Sequence, residues 1–488
     1  MRNMSTRMFA AVTAAAMLGT LGLAGAGAPQ AGALQAAGAP TASGAQLWVS
    51  RYNGPGRGDD DAAAMATSPD GQTVFVTGSS DGGNEFATVA YQAGTGAQRW
   101  ARRYDSPDGS VDQAVAVAVS PGGGQVFVTG WSSGAGHGGI ATVAYSAAGA
   151  FQWATHYQAP EGEFVSSMAV SPDGKTVFIT GERLGSGSSS GSDSDYLTIA
   201  YRAATGAQLW VRRYSGQRRG YDAAASVAVS PSGRTVFVTG TSSRGRKVNS
   251  DTDYATVAYR AGTGAQLWVR RYSGHRGGSD AAASVAVSPS GRMVFVTGNS
   301  AHRTGSSNPD YATIAYRAGT GARVWVRRYN GPGNRDDSPA AVVPSRDGRT
   351  VFVTGASTGV HSHEDWATVA YRAATGARLW VKRHDGPVSS RDLAVSLAVS
   401  PDGNAVFVTG ISWLDGLLNQ TPATEYVTIA YGAATGARLW ARHYQNGSAD
   451  EAQAVAVAVS PAGLVFVTGT SQQDIESDND YATIAYRG

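Results

Sequence analysis

The chain of 488 residues contains no cysteine, so no disulfide staples it and no cysteine-borne lipid can anchor it. Stability has to come from packing alone. Lysine is nearly as scarce, appearing only at Lys175, Lys247 and Lys382, so arginine carries the basic charge. Neither sign of charge dominates: 39 basic residues stand against 36 acidic ones. That balance removes the electrostatic case for a nucleic-acid or anionic-membrane partner. Helical periodicity of useful length is also missing, which leaves an all-β chain. Long apolar runs are confined to the Ala-rich stretch at residues 8–24, which follows Arg2 and Arg7. Small-residue Ala-x-Ala sites come next, at residues 24–26 and 31–33. Residues 1–36 therefore read as a secretory signal peptide rather than a membrane span. The mature protein, residues 37–488, is expected to be secreted or periplasmic, not inserted in a membrane, and monomeric.

What the chain has in abundance is repetition. Trp48, Trp100, Trp153, Trp210, Trp268, Trp325, Trp380 and Trp440 recur at gaps of 52, 53, 57, 58, 57, 55 and 60 residues. Self-similarity at such a period marks a repeat architecture. Each unit holds four short strand-like segments. An Ala/Ser/Val segment runs through a Ser-Pro-x-Gly turn into Thr-Val-Phe-Val-Thr-Gly. After a variable loop comes Tyr-Ala-Thr-Val-Ala-Tyr, then a Thr-Gly turn and the Trp segment. Small residues on the first segment and aromatic ones on the others suit blades converging on an axis. Eight second and eight third segments can be counted, but the last third segment (residues 481–486) has no Trp segment after it. Residues 45–52 are a Trp segment with no blade before them. The expected fold is an eight-bladed β-propeller in which residues 45–52 complete the last blade with 445–488. The paired arginines after each Trp, such as Arg212 and Arg213, are expected on an exposed outer rim.

The run from Ala258 through Thr263, Gly264 and Trp268 resembles the tryptophan-docking motif of quinoprotein-like (PQQ-type) propellers, with Arg260 where that motif has Asp. The Ser-Pro-Asp-Gly turns at residues 68–71, 171–174 and 400–403 are similar to those of WD40-like propellers. The first resemblance implies an eight-bladed ring, and a superfamily holding both quinone-dependent dehydrogenases and non-catalytic assembly scaffolds.

Strand direction puts the short turns on one face and the variable loops on the other, where binding usually resides. Candidate ligand-binding residues there are Trp131, His137, Arg219, Tyr221, His275, His302, His361, His363 and Trp413. Trp366 replaces the Tyr that opens a third segment. Two acidic series recur. Asp60, Asp112, Glu163, Asp222, Asp280, Asp337 and Asp392, with Glu451 one position off, read as a ring at the axis, either a repeated structural pairing or a cation site. Arg57, Arg219, Arg276, Arg335 and Arg391 are its nearby counter-charges. Glu85, Asp195, Asp253, Asp310, Asp365, Glu425 and Asp480 precede the third segments and read as solvated turns, with calcium the weaker alternative. No catalytic residue stands out. No Gly-x-Ser-x-Gly elbow stands in a strand-to-helix context, and a phosphate loop and a paired zinc spacing are absent. A vicinal cysteine pair, found in many quinone dehydrogenases, is missing as well. The reading is a non-catalytic propeller that binds a carbohydrate or an extracellular protein through its variable face. The alternative is an extracellular enzyme: a polysaccharide lyase or hydrolase, or a dehydrogenase using calcium and PQQ. No cofactor is required by the first reading.

Overall fold

A computed structural model describes residues 42–488 apart from 57, 107–110, 135–136, 159–161, 186–192, 217–219, 245–251, 275–277, 302–307, 361–362, 388–389, 415–422, 447–450 and 473–477. The signal segment expected at residues 1–36 lies outside the described residues. Among those described, 32 strands form eight antiparallel sheets of four. Blade 4 is representative: Asp222–Val229 innermost, then Thr235–Ser243, Thr252–Arg260 and outermost Gln266–Tyr272. Blades 1 to 7 repeat that order along the chain. Blade 8 takes Ala452–Val459, Leu464–Ser471 and Asp480–Arg487, and its outermost strand is Gln46–Tyr52. Trp48 lies opposite Ala485 and Tyr52 opposite Tyr481. Innermost strands of successive blades pack against one another around the full circle, blade 8 against blade 1. The ring closes as the repeat count requires, and each blade keeps only the short edges of its innermost and outermost strands.

Side-chain size decides how blades meet. Each innermost strand carries a β-bulge opposite the Gly of Val-Thr-Gly, as between Ala224 and Ser226 facing Gly240. A Cβ at Gly240 would collide with the Ala223 carbonyl, so the strands approach only because that position is glycine. Hydroxyls on innermost strands reach the next blade: Ser167 accepts from the Val227 amide and Ser226 from the Val285 amide, both at 3.3 Å.

The repeat tryptophans are buried between blades. Seven of them donate an indole N–H to a carbonyl of the following blade; Trp210 reaches Ala261 at 2.8 Å and Trp268 reaches Ala318 at 2.9 Å. The Gly of each Thr-Gly turn lies flat on the preceding blade's indole. Gly264 holds φ at +67°, and a Cβ there would come within 2.7 Å of the Trp210 ring. Both facts demand glycine.

The outer arginines depart from expectation. Instead of standing free on a rim, the first of each pair reaches the next blade: Arg212 Nε donates to the Gly264 carbonyl and Arg270 Nε to that of Gly321, both at 2.8 Å. The second turns inward to a carboxylate, as Arg271 does to Asp253 at 3.0 Å. Arg213 alone of those named stays exposed. A guanidinium presents its donors in a fixed fork, which suits it to bonding carbonyls across a junction.

Candidate functional site

The loop end of the ring is built on a repeated polar belt. Asp60, Asp112, Asp222, Asp280, Asp337 and Asp392 each accept a backbone N–H from six residues earlier, at 2.6–2.9 Å. All six are almost wholly buried. They fasten the loop entering each blade and are not presented to the axis as a cation ring, so the structural pairing holds. Burial pushes Asp222, Asp337 and Asp392 up to about 6, against the hydroxyl and amide donors that favour the ionised form. Glu163 is likewise buried and meets Arg183 at 3.6 Å. Glu451 precedes the innermost strand of blade 8, and Ala452 takes the position of the acid: the Ala452 amide bonds Thr424 Oγ1 as the Asp280 amide bonds Thr252 Oγ1.

The second acidic series is not solvated. Asp253, Asp310, Asp365 and Asp480 are buried and ion-paired with Arg271, Arg328, Arg383 and Arg51 at 2.6–3.3 Å. Glu85 pairs with Arg103. The counter-charges thus come from outermost strands, far from the acids in sequence. Of the arginines expected to counter the first series, Arg335 is exposed and Arg391 pairs with Glu364, whereas Arg57, Arg219 and Arg276 lie outside the described residues. The two acidic series also converge: Asp253 acts on Asp280, Asp310 on Asp337, and Asp365 on Asp392 across successive junctions.

Above this belt the repeat breaks down. The residue after each buried acid on the innermost strand is half-exposed in most blades. These residues are Asp61, Gln113, Phe164, Ala223, Ala281, Ser338, Leu393 and Gln453. Phe164 and Ser338 face the second strand of the preceding blade. Phe164 is 36% exposed and stacks on Trp131, with ring centroids 6.1 Å apart and planes at 19°. Ser338 accepts from Asn299 at 3.1 Å. Asp61 accepts from Asn479 at 3.1 Å, and burial raises its carboxyl. Leu393 sits opposite Ile411 in register. Innermost strands are flanked by neighbours on both sides, so their exposed atoms face the axial opening. Around that mouth stand one aromatic pair, the half-exposed Leu393 and several polar groups.

Of the expected ligand residues, Trp131 and Trp413 stand on this face, in blades 2 and 7. They do not come together. Arg391 lies over the Trp413 ring at 5.8 Å and donates to Glu364 at 2.6 Å, and Ser390 donates to the Trp413 carbonyl at 2.8 Å. Tyr221 bridges to Ser194 through its backbone, and its carbonyl accepts from Ser243 at 2.9 Å. His363 is exposed in blade 6. His137 opens the third strand of blade 2 by its backbone, and its side chain lies outside the described set. Arg219, His275, His302 and His361 lie outside the described residues. Trp366 is framework: it is buried and donates to the Ile411 carbonyl at 3.4 Å, as Tyr311 does to Ala367.

Sequence reasoning missed Phe164 and Leu393, because the innermost strand reads as uniformly small. Their signal was available as large residues at one register position of a strand otherwise made of Ala, Ser and Val. It also passed over His156, His384 and His443, which replace framework Arg or Tyr. His443 Nδ1 bonds Glu425 at 2.8 Å, and this bond raises its pKa. Burial, with His443 nearby, holds His384 down at about 4.

The PQQ_2 family model, described as outer membrane protein assembly factor BamB, matches residues 31–304. Among solved structures, BamB from Moraxella catarrhalis is 15% identical, with 91% of this chain and 98% of that one covered, at a TM-score of 0.46. Sqt1 from Chaetomium thermophilum, solved bound to the N-terminus of ribosomal protein L10, is 12% identical over 90% of this chain and 98% of that one, at 0.55. Quinohemoprotein alcohol dehydrogenase from Comamonas testosteroni is 14% identical over 90% and 76%, at 0.55. These likenesses concern the fold. No curated protein sequence matches the chain.

Proposed function

Because the chain belongs to the PQQ_2 family of BamB-type propellers, we propose that it is an exported, non-catalytic binding module that grips an extended segment of a protein partner at its loop-end mouth. One observation carries this reading. A half-exposed Trp131–Phe164 pair stands at a ring position where no other blade carries an aromatic residue. Partly exposed aromatics set in a rigid frame are the usual anchors of protein interfaces. The half-exposed Leu393 and the polar groups around the mouth offer alternating apolar and hydrogen-bonding contacts, which suit a peptide backbone with side chains. Sqt1, a structural neighbour, was solved holding the N-terminal segment of a protein. Export is supported by Arg2, Arg7, the apolar run and the Ala-x-Ala sites.

The test is a peptide-display selection against the mature chain, run beside a glycan array. Selected peptides should lose roughly tenfold or more in affinity on Phe164→Ala, the size of an interface anchor. Peptides that bind wild type and Phe164→Ala equally would remove the mouth from the reading. A glycan hit with no peptide enrichment would transfer it to carbohydrate.

A further inference from the structure

Over the whole chain the two signs of charge nearly cancel, but at the turn end they separate by blade. In blade 4 Arg234 stands just before the second strand, and Arg260 ends the third strand opposite Thr235. The Arg234 carbonyl accepts the amide of Ala261, the residue after Arg260, at 2.9 Å. The two cationic side chains therefore leave neighbouring backbone positions. Lys175 with Arg202, Arg292 with Arg317 and Arg349 with Arg372 repeat the arrangement in blades 3, 5 and 6. Blades 1, 2 and 7 hold Gln72 with Gln92, Gly124 with Ser146 and Asn404 with Gly432 instead. Blade 8 keeps one cation, Arg487.

The paired cations of blades 3 to 6 are all exposed, and the framework does not use their side chains. Among the described residues only Arg349 forms an ion pair, with Asp347 at 3.8 Å, and both of those side chains stand mostly in solvent. Asp347 and Asp173 are already held by the serine hydroxyl of their own turn. In blades 4 and 5 the acid of the turn is itself replaced: Ser230 bonds Ser232 at 3.1 Å and Ser288 bonds Ser290 at 3.2 Å, which closes the knot without charge. Successive turns also touch. A Cβ at Gly233, Gly291 or Gly348 would stand 3.4–3.6 Å from the proline of the preceding turn, Pro172, Pro231 or Pro289. The four pairs thus follow one another along an unbroken arc.

A second observation is independent of charge. In the same arc the residue before each repeat tryptophan is aliphatic: Leu209, Leu267, Val324 and Leu379 are 37–44% exposed. Each is the second residue of its outermost strand, one step from the turn. A nucleic-acid surface would call for aromatic rings on which bases stack. The exposed aromatic of this end, Phe151, lies outside the arc, in blade 2. Guanidinium groups beside aliphatic side chains suit phosphate headgroups over an apolar layer.

We infer that the turn end of blades 3 to 6 docks on an anionic lipid surface, its paired cations bonding headgroup phosphates and its aliphatic side chains meeting the layer beneath. The charge balance that argued against an anionic-membrane partner averages over the ring and hides this separation. Docking through the turns leaves the axial mouth facing away from the lipid, so this surface stands or falls apart from the peptide reading.

Flotation of the mature chain with vesicles tests the inference. Vesicles of phosphatidylcholine with about one third phosphatidylglycerol should carry the chain at low salt, and vesicles of phosphatidylcholine alone should not. Each cation at such a surface carries roughly fivefold in partition, so Arg234→Gln with Arg260→Gln should lose roughly twentyfold or more. The same charge removed at the loop end, by Arg213→Gln with Arg335→Gln, should cost less than about threefold. Leu267→Ser with Leu379→Ser should weaken binding most at physiological salt, where the headgroup attraction is screened. All these side chains stand at least partly in solvent, and an unchanged melting midpoint shows that each variant is folded. A wild type left behind by the anionic vesicles overturns the inference, as does an equal loss in the two charge variants. Binding unchanged by the two serine substitutions removes the aliphatic contact. A DNA duplex held through Arg234 and Arg260 while vesicles are ignored would assign the arc to nucleic acid and overturn the lipid surface.

Discussion

The two ends of the ring are made from the same 32 strands yet solve different problems. At the turn end each Ser-Pro-Asp-Gly hairpin satisfies itself. Ser68 donates to Asp70 at 2.5 Å, and the amides of Gln72 and Thr73 complete the knot at 3.0 and 2.9 Å. The knot recurs around Asp173, Asp347 and Asp402. At the loop end the carboxylates are buried instead, and their partners come from distant strands. One end closes each hairpin locally; the other end couples neighbouring blades. Divergence is tolerated where coupling has alternative solutions, so histidines, added acids and exposed aromatics gather at the loop end.

The sharpest way to break this comparison is to truncate one tryptophan of each kind. Trp268, buried between blades and bonded to Ala318, should cost roughly 3–5 kcal/mol on Trp268→Ala. Trp131, half-exposed and stacked on Phe164, should cost about 1 kcal/mol at most as Trp131→Ala. Urea unfolding measures both. Equal losses would mean that Trp131 is framework and that the mouth is no separate region.

A smaller effect is expected within a single turn. Gly264→Ala places a methyl against the Trp210 ring and demands a left-handed backbone of an L residue, at about 1–2 kcal/mol or more. Gly262, two residues earlier, has open space around its Cβ position and an ordinary φ. Gly262→Ala should therefore be close to neutral. Comparable midpoints for the two variants would contradict the docking of the Thr-Gly turn on the indole.

These two glycines mark how far the sequence was legible. The Trp period, the Thr-Gly turns and the unpaired Trp segment at residues 45–52 led directly to eight blades and to their closure, because framework contacts recur in register and a repeat exposes them. The acidic series were misplaced for a physical reason. Asp253 and Arg271 are 18 residues apart and meet only across two strands, while Asp253 and Asp280 meet only across a blade junction. A linear reading pairs charges with near neighbours, hence the choice of Arg335 and Arg391. Loop residues such as His275 and His302 were chosen by type, which says nothing about convergence. Phe164 was hidden by its company on a strand of small residues.

Acid–base behaviour should separate the two ends by sign. Asp70, Asp173, Asp347 and Asp402 are held below the ordinary 3.8, first by the serine hydroxyl and then by backbone amides. Their contribution is present above that value and is lost as pH falls through the folded pKa. Asp222, Asp337 and Asp392 are pushed up to about 6 by burial, so the folded chain holds their protons more tightly than the unfolded one. Their contribution is fully present below 3.8 and is lost as pH rises to about 6. Asp337→Asn should flatten the fall in melting midpoint between pH 4 and 6, and Asp70→Asn should leave that window unchanged. A midpoint that climbs steadily across this window, with no change in Asp337→Asn, would contradict the buried-acid belt.

The smallest effect is expected at the seam. Blade 8 is the one blade assembled from both ends of the described chain, and it is also where Ala452 stands in place of the buried acid. Arg51 still turns inward there, donating to Asp480 at 3.3 Å and to the Ser471 carbonyl at 2.7 Å, while its Nη1 is buried without a partner. In blades 4 to 6 the corresponding arginine lies within the influence of an aspartate at this position. Ala452→Asp should supply that carboxylate, and its second oxygen would meet the amide entering from residue 446. The gain from one charge-assisted contact is offset by the cost of burying the acid, so a net stabilisation of about 1 kcal/mol or less is expected. The gain should appear at neutral pH in a denaturant midpoint. Ala452→Asn, which fills the same space without charge, should give less. If Ala452→Asp destabilises while Ala452→Asn does not, the seam has repacked around alanine, and the belt is a feature of seven blades and not a rule for the ring.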